Sequence, residues 1–270
     1  MATNKANARL KVFFAPNVGK AVILRRGPSK QVCTIGWDFN NDSFQMGQWL
    51  KGTIDGTRCD LSPDGKHFIY EAGKYFLSQH DFKYYTVVSR APFLKALKIW
   101  QEHEGWSFGG AFLDNRQFWV NESEIKIYQL PNFKTIEAAL EVEKAKALQS
   151  NVWLFLNWRR KRDGWQEEHF PEQSTTAWTK QIKDWKLSKT IFLNSRHKER
   201  SNHSWIMRCE KTGESFDTTN WEWADLHEKR LLFAHEGKIF AVRMWESGHG
   251  PITLLCDFND MVFEPLAAPY

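Results

Sequence analysis

CDLSPDGKHFIYEAGKYF at residues 59–76 returns, altered but in register, within EWADLHEKRLLFAHEGKIFAVR at residues 222–243. Asp60-Leu61 stands against Asp225-Leu226 and Lys66 against Lys229. The apolar triplet Phe68-Ile69-Tyr70 matches Leu231-Leu232-Phe233, and Gly73-Lys74-Tyr75-Phe76 matches Gly237-Lys238-Ile239-Phe240. A third, shorter copy, GGAFLDNRQFWVN at residues 109–121, puts Asp114-Asn115 in the turn and Phe118-Trp119-Val120 in the outgoing strand. Asp-Gly and Asp-Asn pairs tolerate the positive φ of tight hairpins, so each copy reads as two antiparallel strands joined by a short turn.

A second marker links distant parts of the chain. CTIGWDFNNDSFQ at residues 33–45 resembles TLLCDFNDMVFE at residues 253–264: an apolar strand, Asp-Phe-Asn, a turn and an outgoing strand with Phe. The interval from Lys66 to Lys229 divides into three units of about 54 residues, and that from Asp38 to Asp257 into four of about 55. Periods of this length built from short strands mark propeller blades, so the chain is expected to be an all-β, five-bladed β-propeller forming one domain over residues 1–270. KTIEAALEVEKAKALQS, residues 134–150, has apolar residues near helical spacing and no Gly or Pro, and is expected to be a short helical insertion. VWLFLNWRRKRDGWQ, residues 152–166, reads as a hairpin around Arg162-Asp163-Gly164, and residues 189–210 as another around a polar tip.

Composition supports β structure. There are 14 Trp and 20 Phe, residues that fit pleated, half-buried surfaces. No apolar run reaches the length of a membrane-spanning helix, and MATNKANARLKVFF has no apolar stretch of the kind that directs export. A cytoplasmic protein with no membrane contact is expected. Cys33, Cys59, Cys209 and Cys256 lack metal-ligand spacing and read as buried thiols in a reducing compartment. The nine His show no HExxH or i, i+4 pairing, so neither a metal nor a cofactor is expected.

Asp60-Leu61-Ser62-Pro63-Asp64-Gly65-Lys66, with Phe68-Ile69-Tyr70 after it, resembles the blade motif of TolB-type and related WD40-like β-propeller repeats. In those repeats a Ser-Pro-Asp-Gly-Lys turn joins the two inner strands of a blade. The close match covers about ten residues, one blade of five, with weaker echoes at residues 111–120 and 224–233. The resemblance implies the fold and says almost nothing about activity. The sequence departs from true WD40 repeats: Trp37-Asp38 occurs once, and Gly248-His249 precedes no such pair.

Two sets of side chains are candidates for function. Asp60, Asp114 and Asp225, with Glu222, are the acids that a glycoside-processing propeller would bring together, since that chemistry needs two carboxyl groups at a defined separation. Their competing role is to hold backbone. The second set is basic: Trp158, Arg159, Arg160, Arg162 and Trp165 in NWRRKRDGW, and Arg196, His197 and Lys198 in the loop SRHKERSNHS. Guanidinium groups engage phosphate and indoles stack on bases, so a nucleic acid or another anion is one possible ligand. The net charge of +5 is modest, and without a catalytic motif the first expectation is a rigid platform for a protein partner. Lectin-like carbohydrate binding through acids and tryptophans is the alternative.

Overall fold

The computed structural model describes residues 7–27, 30–76, 81–101, 109–120, 126–136, 152–170, 175–192 and 203–270. Five antiparallel sheets follow one another along the described chain. The first contains β1 (Arg9–Ala15), β2 (Lys20–Arg26), β3 (Gln31–Asp38) and β4 (Ser43–Lys51). The second contains β5 (Thr53–Ile54), β6 (Asp60–Leu61), β7 (His67–Phe76), β8 (Asp81–Arg90) and β9 (Ala96–Gln101), with β5 and β6 both paired to β7. The third contains β10 (Gly110–Phe112), β11 (Gln117–Val120), β12 (Lys126–Gln129) and β13 (Lys134–Ile136). After the helix α1 (Val152–Arg162) comes the fourth, β14 (Gln166–Phe170), β15 (Thr175–Ile182), β16 (Trp185–Phe192) and β17 (His203–Cys209). The fifth is β18 (Trp221–His227), β19 (Arg230–His235), β20 (Lys238–Arg243) and β21 (Thr253–Asp257). The chain divides into two compact units, Met1–Asn157 with Met261–Tyr270, and Trp158–Asp260.

In the first unit the sheets pack face to face. Phe68, Tyr70 and Val87 join Phe13, Val22 and Leu24 of the first sheet in one buried cluster. Their neighbours Ile69 and Val88 point the other way, into a cluster with Phe112, Phe118 and Tyr128 of the third sheet. A strand covered on both faces needs an unbroken apolar run instead of alternation, which is why Phe68-Ile69-Tyr70 carries no polar residue. Each such side chain contributes about 2 kcal/mol by leaving water. In the second unit Trp178, Trp185, Leu187, Leu231 and Leu232 are fully buried on strands of the fourth and fifth sheets.

The repeat of residues 59–76 at 222–243 is real at the level of strand register. Asp60 pairs with Ile69 and Leu61 with Phe68, as Asp225 pairs with Leu232 and Leu226 with Leu231. The match ends there. Gly237 lies in the β19–β20 turn at φ 74, whereas Gly73 sits inside the unbroken strand β7. There β5 pairs with β7 on the edge away from β8, with Thr53 opposite Gly73 and Thr53 Oγ1 donating to Gly73 O at 3.3 Å.

The Asp-Phe-Asn segments also build one module. The Phe39 N–H donates to Gly19 O and the Phe258 N–H to Gly237 O, both at 3.0 Å, across turns whose glycines have positive φ. Asn40 Nδ2 donates to Asp38 Oδ1 at 3.0 Å and Asn259 Nδ2 to Asp257 Oδ1 at 2.8 Å. The same amides reach carbonyls of the clamped turns, Gly19 O and Glu236 O. The module closes the third strand of the first sheet but the fourth strand of the fifth sheet, so the 55-residue spacing does not join equivalent strands. The spacing of sheet starts at Thr53, Gly110, Gln166 and Trp221 is the better measure, about 56 residues.

Two expectations are corrected. Residues 152–166 do not form a hairpin: Val152–Arg162 is helical and Gln166 opens β14. Residues 134–136, assigned to a helical insertion, are strand β13 paired with β12, since a four-residue turn returns the chain to a sheet edge that is still unpaired. The remainder of that insertion, residues 137–150, lies outside the described residues. The hairpin expected over residues 189–210 is present as β16 and β17.

Asn40→Ala and Asn259→Ala are each expected to cost about 1 kcal/mol, the net worth of a side-chain clamp, read from the urea midpoint. A loss at only one of the two sites would break their equivalence.

Candidate functional site

The basic run lies at the end of α1. Residues 152–162 contain no Gly or Pro, and Leu and Arg are good helix formers. The stop is a C-terminal cap: the Trp165 N–H donates to Arg160 O at 2.9 Å and the Gly164 N–H to Lys161 O at 3.1 Å, with Gly164 at φ 86. This is the pairing of a helix ended by a left-handed glycine. Asp-Gly serves a hairpin turn and a helix cap equally well, which is why the sequence suggests the wrong one. Arg159, Arg160, Lys161 and Arg162 occupy the last turn, where cations complement the carbonyl end of the helix.

These cations are engaged inside the second unit. The Arg160 guanidinium lies 5.4 Å from the centre of the Trp178 ring and the Lys161 ammonium 5.9 Å from it. Lys161 also pairs with Glu167 at 2.9 Å. Arg162 sits over Trp158 at 5.3 Å and donates to Asp163 Oδ1 at 3.0 Å. The run thus ties the helix end to the fourth sheet, where stacking of a cation on indole contributes about 1 kcal/mol. Arg196, His197 and Lys198 lie outside the described residues.

Beside the helix cap is a polar cleft of about 390 Å³, lined among others by Asp163, Glu168, Lys180, Lys186 and Glu228. Its best-held group is Lys180, whose Nζ lies 2.6 Å from Asp225 Oδ1 and 4.9 Å from the centre of the Trp165 ring. Asp225 Oδ1 also accepts the Leu226 N–H at 2.7 Å. Both members of the pair are nearly enclosed, with side chains 11% and 5% exposed, so each charge depends on the other. The pair joins β15 to β18. On the cleft wall Glu168 Oε1 accepts from Lys186 Nζ at 2.7 Å and from Thr179 Oγ1 at 3.3 Å.

Each of the sequence-derived acids has a local structural partner. Asp60 is buried in the first unit and its Oδ2 accepts the Phe112 N–H at 2.9 Å, tying the second sheet to the third. Asp114 is exposed in the β10–β11 turn and accepts the Arg116 and Gln117 N–H groups, both at 2.6 Å. It therefore plays the part of Asp64, which accepts the Lys66 N–H in the β6–β7 turn, and not the part of Asp60. Glu222 Oε1 accepts the Gly237 N–H at 3.3 Å. An acid that the sequence reading passed over is Glu71, buried on β7 with both carboxylate oxygens 3.0 Å from Arg58 Nη1. Its signal was present: a lone carboxylate within an apolar strand requires a buried partner.

Among the described residues no three His, Cys, Asp or Glu side chains are placed to share a metal ion. All four cysteines are described and none forms a disulfide. No described helix is long and apolar enough to cross a membrane.

No protein-family model and no curated protein matches the sequence. Similar solved structures include the isopeptidase AtxE2, at 9% identity over 94% of this chain and 53% of its own, with a TM-score of 0.47. They also include an uncharacterised protein from Listeria monocytogenes, at 9% identity over 93% of this chain and 67% of its own, TM-score 0.35. The WD40 repeats of RRP9 match at 9% identity over 94% of this chain and 85% of their own, TM-score 0.28. The chain spans about half the length of the isopeptidase. Likenesses this distant assign neither fold nor activity.

Lys180→Ala is expected to destabilise the protein by about 3 kcal/mol, because Asp225 is then left buried without its counter-charge. Lys180→Met combined with Asp225→Leu recovers most of that loss, as measured by chemical unfolding. If Lys180→Ala unfolds at the wild-type midpoint, the pair has no structural role.

Burial holds the histidine pKa of His227 below its ordinary value, with Arg230 and Lys180 acting in the same direction and Glu228 and Asp225 opposing. His67 is lowered in the same way, first by burial. The unfolded chain takes up these protons near pH 6.5 and the folded chain only at lower pH, so this stability is complete above about pH 6.5 and is lost on acidification. The melting temperature is expected to fall between pH 7 and pH 5, and His227→Gln to flatten that slope.

Proposed function

We propose that the five meanders are blades of one β-propeller and that the protein is a non-catalytic platform for a protein partner. The support for the propeller is the succession of five short antiparallel sheets, evenly spaced from the second onward, with consecutive sheets stacked face to face in the first unit. The support for a platform is the character of the acids, which hold amides or a lysine in place.

The observation that carries the reading to a protein partner is the outer edge of the fifth sheet. Among the described residues β21 pairs only with β20, and its other side is the edge of the sheet. Within ten residues Trp245 is 50% exposed, Ile252 55% and Leu254 50%, all on this strand and the connection leading into it. Single exposed apolar residues are ordinary, but three within ten residues leading into an edge strand are what a partner's strand pairs with.

A photo-crosslinking amino acid placed at Leu254 is expected to capture a discrete partner from native extract, and Ile252→Lys with the same label to abolish the adduct. An adduct unchanged by Ile252→Lys, or none at Leu254, would remove the edge as the contact surface.

A further inference from the structure

The segment Met261–Tyr270, MVFEPLAAPY, has no helix or strand, yet it is held along the first unit at four points. Arg25 Nη2 donates to Met261 O at 3.4 Å. The Phe263 ring rests 5.9 Å from the Trp49 ring, with Lys51 Nζ 4.7 Å above it. Gln48 Nε2 donates to Leu266 O at 2.8 Å. Tyr270 fills a site on the β8–β9 loop: its hydroxyl donates to Lys95 O at 2.6 Å and accepts the Arg90 N–H at 3.1 Å. The Arg90 guanidinium and Lys95 ammonium lie 4.8 and 5.3 Å from the ring centre, and Phe93 meets it edge-on at 6.2 Å.

The groove is built by parts that do not belong to the segment. Gln48 Oε1 accepts the Leu94 and Lys95 N–H groups, both at 2.8 Å, so one carboxamide fixes the loop and reads the segment. Pro92 of that loop seats against Gly36 and Gly47, where an added Cβ would stand 3.0 Å from Pro92 Cγ and 2.5 Å from Pro92 O. The wall is therefore positioned by the two sheets themselves. Such preorganisation lowers the cost of binding an extended chain.

We propose that this groove is a recognition site for an extended peptide, supplied by a partner protein, that carries an aromatic residue and a tyrosine seven positions further on, with a backbone carbonyl between them read by Gln48. The 261–270 segment, with Phe263, Leu266 and Tyr270, is its resident occupant in cis. The chemistry of the partner is read from the contacts: electron-rich rings answer the cations Lys51, Arg90 and Lys95, and a phenol answers the paired donor and acceptor of the loop backbone. This deepens the platform reading and rests on it, but on a different surface from β21. An attached segment competes at an effective concentration in the millimolar range, so the cis occupant gates the site.

The test uses the full chain with Phe263→Ala and Tyr270→Ala, which release the segment, and a fluorescent synthetic peptide of residues 260–270 as probe. Anisotropy is expected to show saturable binding at least tenfold tighter to the released variant than to wild type, and loss of binding when the peptide's tyrosine is replaced by alanine. Gln48→Ala added to the released variant should weaken binding further. A released variant that keeps its circular dichroism spectrum and melting transition but does not bind the peptide overturns the proposal, as does equal binding by wild type. A wild-type dimer that becomes monomeric in the released variant also overturns it, assigning the groove to a second copy of the chain. Failure of peptide binding with retention of the Leu254 adduct would remove the groove alone and leave the platform reading standing.

Discussion

Residues 68–73 of strand β7 are buried on both faces, and much of the first unit follows from that. Phe68 and Tyr70 belong to one core and Ile69 to another, so the second sheet must have a sheet on each side. Such a strand has no solvent face on which to place polar residues, and its few polar side chains need partners. Glu71 is met by Arg58, and the backbone of Gly73 is met by β5. Asp60, opposite Ile69, turns its carboxylate to the Phe112 amide of the next sheet. Asp60 thereby joins layers that the apolar residues bring together, while the Arg58–Glu71 pair stays within the second sheet.

The second unit solves the same problem with cations on indoles. Trp178 lies under Arg160 and Lys161, Trp165 under Lys180, and Trp205 under Lys189. These three tryptophans are engaged within the protein: a large ring buries area while its face accepts the charge of a long side chain whose stem covers more apolar surface. The surfaces proposed for partner contact are ones where apolar or aromatic groups are exposed or held by a single segment, the β21 edge and the groove that holds residues 261–270.

Turns and apolar runs were legible in the sequence. The Asp64-Gly65 turn, the Asp-Phe-Asn clamps and the triplets Phe68-Ile69-Tyr70 and Leu231-Leu232-Phe233 form from interactions within a few residues or across one hairpin, so their signatures survive in order along the chain. Asp163-Gly164 was misread because the same two residues can close a hairpin or cap a helix, and only the hydrogen bonds of Gly164 and Trp165 to the preceding turn distinguish them. The candidate acids were recognised as repeated positions, but Asp114 belongs to a turn and Asp225 to an ion pair with Lys180, forty-five residues away in sequence. No local pattern announces Lys180.

By itself the sequence determined that the chain is a series of antiparallel β-hairpins with a period above fifty residues, because hairpin turns and two-sided strands are written in neighbouring residues. Only the tertiary structure decided which charges are consumed in holding sheets together and that residues 261–270 fold back on Gln48, Trp49 and the Arg90–Lys95 loop. Those contacts join positions more than two hundred and about one hundred and eighty residues apart, and at such separations loop closure leaves no periodic trace in the chain.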